Sequence, residues 1–266
     1  MSPSPRSILI TGASSGIGRA LALNYAGPDV RLALLGRNQE RLDEVSERCR
    51  ARGAETDAAL IDVRARDKLA EWIRSLDDKN PLDLVIASAG ILTGLGMGRL
   101  REDPDAVRAI ISINLIGVLN TVDPVIERMC ARGRGLIAFM GSISAVRGLP
   151  QSPAYCATKA AIHAYAEGLR GGLAAQGVRV SLIIPGFVAT ALNVDMIAPK
   201  PLLVSDERAA RIIRRGLDRG APVIAFPRLL YYGTYLLRLF PARWVDYALN
   251  LAHVDIHETR EHRAKS

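Results

Sequence analysis

Residues 7–25 read SILITGASSGIGRALALNY, and this stretch decides the fold. Ser7 to Thr11 is a short apolar run of strand length, Thr11 to Gly18 carries glycines at 12, 16 and 18, and the residues beyond have helix-forming composition. Glycines permit a tight turn and let a pyrophosphate approach a helix N-terminus, where free N–H groups and the helix dipole favour anions. Gly12, Ser14, Ser15, Gly16, Ile17 and Gly18 are therefore the candidate phosphate cradle, with the spacing G-x-x-x-G-x-G. Such a turn alone can be plain strand-to-helix punctuation. The pattern of the downstream chain argues against that.

The alternation continues along the chain. VRLALLG (30–36) reads as a strand, NQERLDEVSERCRA (38–51) as an amphipathic helix, ETDAALIDV (55–63) as a strand and RDKLAEWIRSLDD (66–78) as a helix. LDLVIASAG (82–90) is another buried strand, and a long helical stretch from Asp103 to Arg132 follows, with Pro124 expected to bend it. GLIAFMGS (135–142) and VRVSLIIPG (178–186) are strands flanking a helix that reaches to Gln176, and APVIAF (221–226) reads as the last strand. Apolar strands alternating with helices require a parallel sheet covered on both faces. The expected fold is α/β: a single doubly wound Rossmann domain with about seven parallel strands, its ligands at their carboxyl ends. It spans 1–266, with a core of 6–226, a helical extension of 227–256 and a charged tail of 257–266.

Composition narrows the function classes. The 266 residues are 49% hydrophobic, enough for a large packed core, and no uninterrupted apolar run reaches the length of about 18 residues that a membrane-spanning helix needs. The N-terminus passes from a short Pro/Ser tail directly into the first strand, so the expected location is the cytoplasm. Cys49, Cys130 and Cys156 lack ligand spacing and read as reduced packing residues, which leaves no metal site. The net charge of +8 comes from arginines interspersed with acids, as in RNQERLDEVSERCRARG, and this pattern points away from nucleic acid.

A second stretch, SPAYCATKAA (152–161), places Tyr155 and Lys159 four residues apart. On a helix they share one face, one turn apart. Alone, the pair fits a solvated helix face as well as a reactive site. Together with the turn TGASSGIG and with Ser142, 13 positions before the tyrosine, it resembles the short-chain dehydrogenase/reductase family, in the branch with chains of about this length and over roughly Ser7 to Thr190.

That resemblance implies an oxidoreductase that interconverts a carbonyl and a hydroxyl through a nicotinamide cofactor. Tyr155 then gives the proton to the developing alkoxide. A lysine ammonium one turn away, with the positive nicotinamide, should lower the phenol's pKa by about one to three units. By resemblance Lys159 also holds the nicotinamide ribose, and Ser142, at the end of a strand, holds the substrate oxygen, with Ser144 as its nearby competitor. The resemblance further gives Asn114 a backbone carbonyl that holds a water near Lys159. It gives Asp62 the adenine amino group, with Val63 beside it. Pro185, Gly186, Val188 and Thr190 match the segment that holds the nicotinamide carboxamide. Ala87 and Ser88 stand where the family usually has asparagines; Gly90 remains to give backbone room, with Ser88 and Ala89 beside it. His163, eight residues after Tyr155, reads as a helix-face residue.

Cofactor choice has its own physical reading. The second strand ends in Gly36, where an acid would bind a ribose 2′-hydroxyl, and Arg37 and Asn38 follow. A guanidinium there suits a 2′-phosphate, so NADP(H) is expected, the alternative being a solvated Arg37 and an enzyme that accepts both cofactors.

Beyond Thr190 the family varies. Ala191 to Glu207 reads as an apolar lid, so an apolar lipid-, acyl- or steroid-like substrate is expected. After Phe226, Leu229 to Leu251 is rich in large apolar residues punctuated by Arg228, Arg238 and Arg243. It packs on the domain or a partner subunit, lies on a membrane surface, or extends the lid. A homodimer or homotetramer completes the expectation. The rival readings are a catalytically silent NADP(H)-binding regulatory or scaffolding protein, and an epimerase or dehydratase using the same Tyr/Lys pair.

Overall fold

The apolar runs become strands because only the interior of a covered sheet buries both of their faces. The computed structural model describes residues 5–95, 99–190, 196–197, 200–251 and 255–256. It contains β1 (Ser7–Thr11), β2 (Arg31–Gly36), β3 (Glu55–Leu60), β4 (Leu84–Ala87), β5 (Gly135–Met140) and β6 (Val178–Pro185). Two-residue strands β7 (Val188–Ala189), β8 (Met196–Ile197) and β9 (Val204–Ser205) come next, then β10 (Val223–Phe226) and β11 (Asp255–Ile256). Seven strands form one sheet in the order β10-β6-β5-β4-β1-β2-β3, every pair parallel. The expected doubly wound sheet is thus present, and its strand order reverses between β1 and β4, where such sheets open a crevice for ligands.

Period-two alternation divides β1 between two cores. Ile8 and Ile10 join Leu21, Leu42, Val45, Ile213 and Leu217, carried by α1 (Gly16–Tyr25), α2 (Gln39–Arg50) and α7 (Asp206–Asp218). Leu9 points the other way, to Leu69, Ile73, Val122 and Ile162, carried by α3 (Arg66–Lys79), α5 (Gly117–Ala131) and α6 (Pro153–Leu173). The exception is β3, whose polar sequence ETDAAL suits the sheet edge it occupies. It ends at Leu60, three residues short of the expected strand, and Ile61 and Val63 are buried beyond it. Two more helices, α8 (Arg228–Leu237) and α9 (Ala242–Leu251), follow β10.

The long helical stretch departs from expectation in one respect. It begins as α4 (Pro104–Ile111), capped by the Asp103 carboxylate, which accepts from the N–H groups of Asp105 and Ala106. Pro124 lies inside α5, which runs unbroken past it. The irregularity falls instead at Ser112–Ile116, one wider π-helical turn. Its centre is Asn114, and such turns commonly mark functional positions.

α3 and α5 are locked at their far ends by a buried carboxylate. Asp77 accepts from the Leu82 N–H (2.8 Å), Arg128 Nε (2.9 Å) and Arg132 Nη1 (2.9 Å). Burial alone would raise its pKa, but these donors outweigh burial and hold it below the ordinary 3.8. Asp77→Ala removes the shared acceptor of two arginines and a buried N–H, while Arg128 keeps Asp78 and Arg132 keeps the Leu82 carbonyl, and should destabilise the fold by about 1–3 kcal/mol in urea unfolding. The folded-state pKa is depressed, so the contribution is present at neutral pH and is lost as the pH falls below 3.8. The wild-type advantage over Asp77→Ala should therefore shrink in acid.

Candidate active site

The turn after β1 is built for close approach. Gly12 has φ +70° and Gly16 φ +52°, both in the left-handed region that favours glycine. A Cβ on Gly12 would lie 3.0 Å from Ala89 Cα, and one on Gly18 would lie 2.3 Å from the Gly12 carbonyl oxygen. A Cβ on Gly16 would meet the Thr190 side chain at 3.3 Å. The turn is thereby pressed against the ends of β4 and β6, and its N–H groups open α1. Ile17 is partly buried and packs on the first core. A cleft of about 630 Å³ lies beside it, lined among others by Ser14, Ser15, Gly16, Arg41, Val188 and Thr190. Its size suits a bound small molecule or cofactor.

At the end of β2, Gly36 lies against the Ser14 side chain: a Cβ on Gly36 would meet Ser14 Oγ at 3.0 Å. Arg37 follows, near enough to Asp62 to help lower that carboxyl's pKa. The main cause of that lowering is Arg64, which grips Asp62 with Nε (3.0 Å) and Nη2 (2.7 Å). Asn38 has a local task, since its side chain accepts from the Arg41 N–H and caps α2. Val63 is buried with its Cγ2 in the space a Cβ on Gly117 would fill, and its carbonyl accepts from Asn120 Nδ2 at 2.9 Å.

Ser142, Tyr155 and Lys159 meet where β5 ends and α6 begins. Ser142 is buried, caps a short 3₁₀ turn and accepts from the Ser144 N–H at 3.1 Å, so Ser144 supports Ser142 through its backbone. Tyr155 keeps part of its surface open, and a side-chain hydrogen bond joins it to Ser142. Lys159 is 4% exposed. Its Nζ donates to the Met140 carbonyl at 2.9 Å and lies 5.6 Å from the Tyr155 ring centre. Gly90 closes the group: a Cβ there would meet Asn114 Oδ1 at 3.3 Å and Lys159 Nζ at 3.7 Å. Asn114 is fully buried, and its side chain clamps Ile91 from both sides, accepting from its N–H and donating to its carbonyl, each at 2.8 Å. The Asn114 side chain therefore reaches across to the loop after β4 instead of bonding its own helix.

Burial pushes the Tyr155 phenol up to about 12, with the bond to Ser142 pulling the other way, and burial brings Lys159 down to about 8. Desolvation is the largest cause in both cases. The phenol therefore holds its proton at neutral pH, as a proton donor should.

After β6, Pro185 pairs with Phe226 in the sheet and Gly186 donates to the Phe226 carbonyl at 2.8 Å. Val188 is buried in β7 against β9, and Thr190 touches the phosphate turn. Of the expected lid, residues 191–195 and 198–199 lie outside the described residues, as does the tail from 257.

Three contributors escaped the sequence reading. The Thr11 hydroxyl accepts from the N–H groups of both Ser88 and Ala89 at 3.1 Å, tying β1 to the end of β4. Glu102 is buried and accepts from the Ala154 N–H at 2.9 Å, capping α6 from a distant loop. His163 is not a free helix-face residue: it is buried, and its Nε2 accepts from the Ser142 N–H at 3.4 Å. Burial, then the neighbouring Lys159, hold it at about 4, so it is neutral at pH 7. Its offset from Lys159, four residues on the same face, was the available signal.

The profile of the short chain dehydrogenase family matches residues 6–200. An uncharacterized oxidoreductase from Myxococcus xanthus is 36% identical over 244 residues, covering 91% of this chain and 96% of that protein. A short-chain dehydrogenase from Sphingobium yanoikuyae, solved in complex with NADPH, superposes with TM-score 0.75 at 25% identity over 83% of this chain and 87% of its own. A short chain dehydrogenase/reductase from Burkholderia phymatum, solved with NAD, shares the fold with TM-score 0.80 at 20% identity over 90% and 95% of the two chains.

His163 positions Ser142 by fixing its backbone. His163→Leu should lower kcat about tenfold with KM for cofactor unchanged, the loss of one hydrogen bond's worth of alignment, and His163→Gln, which keeps an acceptor, should restore part of it. Because His163 stays neutral, the wild-type pH–rate profile should show no inflection at the ordinary histidine value of 6.5.

Proposed function

The chain belongs to the short-chain dehydrogenase family and is an oxidoreductase of that type, and from that premise we propose that it interconverts a carbonyl and a hydroxyl on an apolar small molecule with NADP(H). One observation carries the reading: Ser142, Tyr155 and Lys159 converge at the carboxyl edge of the sheet, beside Gly90, with a phenol that keeps its proton. The residues fit a nicotinamide dinucleotide. The positions of Gly12, Gly16 and Gly18 leave no space for a side chain, and their turn opens α1 toward the cleft that Ser14, Ser15 and Thr190 line. Bound there, the cofactor supplies a hydride to the carbonyl carbon or takes one from the alcohol.

Every other task falls to side chains of the protein. The Ser142 hydroxyl and the Tyr155 phenol hold the substrate oxygen, and Tyr155 gives its proton as negative charge builds there. Lys159, charged below about 8, stands behind the phenol and stabilises the phenolate left after transfer. The NADP(H) preference is supported by Gly36 and Arg37 at the end of β2, with Arg41 on the same side of the cleft. The apolar substrate is supported by the apolar composition of Ala191 to Glu207, the segment expected to cover the nicotinamide.

Tyr155→Phe should lower turnover of NADPH with a ketone by about 10²- to 10⁴-fold while NADPH binding, read by fluorescence, stays within about twofold. Residual turnover close to wild type removes Tyr155 as the acid. Arg37→Ala should raise KM for NADPH about 10- to 100-fold, the value of a charge-assisted hydrogen bond, and leave KM for NADH nearly unchanged. Equal effects on both cofactors reject the 2′-phosphate role. Since Lys159 loses its proton near 8, kcat/KM for reduction should decline as the pH rises through that value.

A further inference from the structure

The segment after β10 wears its hydrophobic face outward. α8 and α9 are each 10 residues long, too short to cross a bilayer. Their inward positions anchor them. Leu230 lies 3.0 Å from the Cβ position of Gly186, Tyr231 packs on the second core, and Val245 is buried. The outward positions of a water-facing hairpin should be polar. Here they are Leu229, Tyr232 and Leu236 on α8, Leu239 and Phe240 in the connection, and Trp244 on α9. Leu229, Leu239 and Trp244 are 76%, 79% and 61% exposed. Exposed large apolar side chains gathered along one segment mark an interaction surface.

Charge selects the partner. Between 228 and 247 the chain carries Arg228, Arg238 and Arg243, all exposed, and a single carboxylate, Asp246. Arg147 already pairs with that carboxylate. In a two-fold pairing of this segment with its own copy, the three arginines would find on either side only Asp246, which is already paired with Arg147. An anionic lipid surface answers all three. Leucine and phenylalanine then enter the acyl boundary while tyrosine and tryptophan sit at headgroup level.

We propose that α8 and α9 form a monotopic docking hairpin that seats the protein on an anionic lipid bilayer. The seat adjoins the candidate active site. Arg147, which holds α9, lies five residues after Ser142, and Leu230 of α8 packs on Gly186 after β6. Docking presents that end of the cleft to the headgroup boundary, where apolar molecules concentrate.

The test uses the full chain and sedimentation with vesicles of phosphatidylcholine, with and without about 30 mol % phosphatidylglycerol. Binding to the anionic vesicles should exceed binding to pure phosphatidylcholine by about tenfold or more and weaken as salt rises. Trp244 is one of two tryptophans, and Trp72 is partly buried, so emission should shift to the blue on binding and fail to do so in Trp244→Phe. The pair Phe240→Asp and Trp244→Asp should abolish binding, and Arg238→Gln with Arg243→Gln should remove the anionic preference. NADPH-dependent turnover of a water-soluble ketone should stay unchanged in all of these variants, which also shows that they fold. No sedimentation with anionic vesicles overturns the proposal. So does binding that survives Phe240→Asp with Trp244→Asp, or a stable dimer that this pair dissociates without any vesicle binding. Because docking is read on vesicles and reduction in solution, docking and the reductase reading fail separately.

Discussion

An ammonium held almost out of water is the constraint around which the sheet edge is built. Lys159 is buried on α6, and burial brings its pKa down to about 8. A charge in that position demands partners. The protein supplies the Met140 carbonyl at the end of β5 and places a glycine beside it at 90, where a Cβ would crowd Asn114 Oδ1 at 3.3 Å. Three donor sites on the ammonium and one bonded carbonyl leave capacity for a ligand's hydroxyl groups. The same arrangement that makes the lysine uncomfortable alone makes it receptive to a polar ligand in the cleft.

Around this group, the loops at the carboxyl edge are held by polar clamps. Thr11 binds the backbone of Ser88 and Ala89, Asn114 binds Ile91 on both sides, and Asn120 binds the Val63 carbonyl. Each clamp lets irregular backbone pass through a buried region without orphaned N–H or C=O groups. They also account for the departure at Ala87 and Ser88, where the family usually carries asparagines: the backbone there is held from the β1 side by a hydroxyl. The π-helical turn belongs to the same design, because it centres Asn114 where both of its amide atoms reach Ile91. His163 and the Ser144 N–H then fix Ser142 from behind and from in front.

The sheet was legible because buried parallel strands are apolar on both faces, and SILIT, LVIA and GLIAFM announce that directly. The edge strand β3 was legible only in part, since one exposed face and an irregular exit blur the period, and its end was placed three residues late. Tyr155, Lys159 and Ser142 were legible through resemblance to the family's spacing, since alone the pair fits a solvated helix face as well. Clamps such as Asn114 to Ile91, or His163 to Ser142, join residues more than 20 apart, and no local pattern reports them. Pro124 drew attention by its chemistry, yet the helix passes through it, while the wider turn at 112–116 carries no proline or glycine to mark it. The upward shift of the phenol is hidden from local pattern for a related reason. The pair spacing is local, but burial is a property of the whole fold.

The surplus of eight positive charges looks diffuse in the sequence, yet the fold gathers part of it at two places. Arg37 and Arg41 stand beyond β2, and Arg228, Arg238 and Arg243 follow β10, with β1, β4, β5 and β6 lying between those two strands in the sheet. The first group suits a phosphate on the adenosine end of a dinucleotide and the second a layer of phosphates. Interspersed acids hide the distinction in one dimension, because a helix such as α2 spends its carboxylates on its own surface, as in the Glu44–Arg48 pair. On the hairpin the single acid is spent on Arg147. An outward face left with aromatic rings, leucines and arginines alone differs from a solubilising surface, where both signs of charge would be mixed. The placement of acids, more than the count of bases, separates a solvated helix from one built to meet an anionic surface.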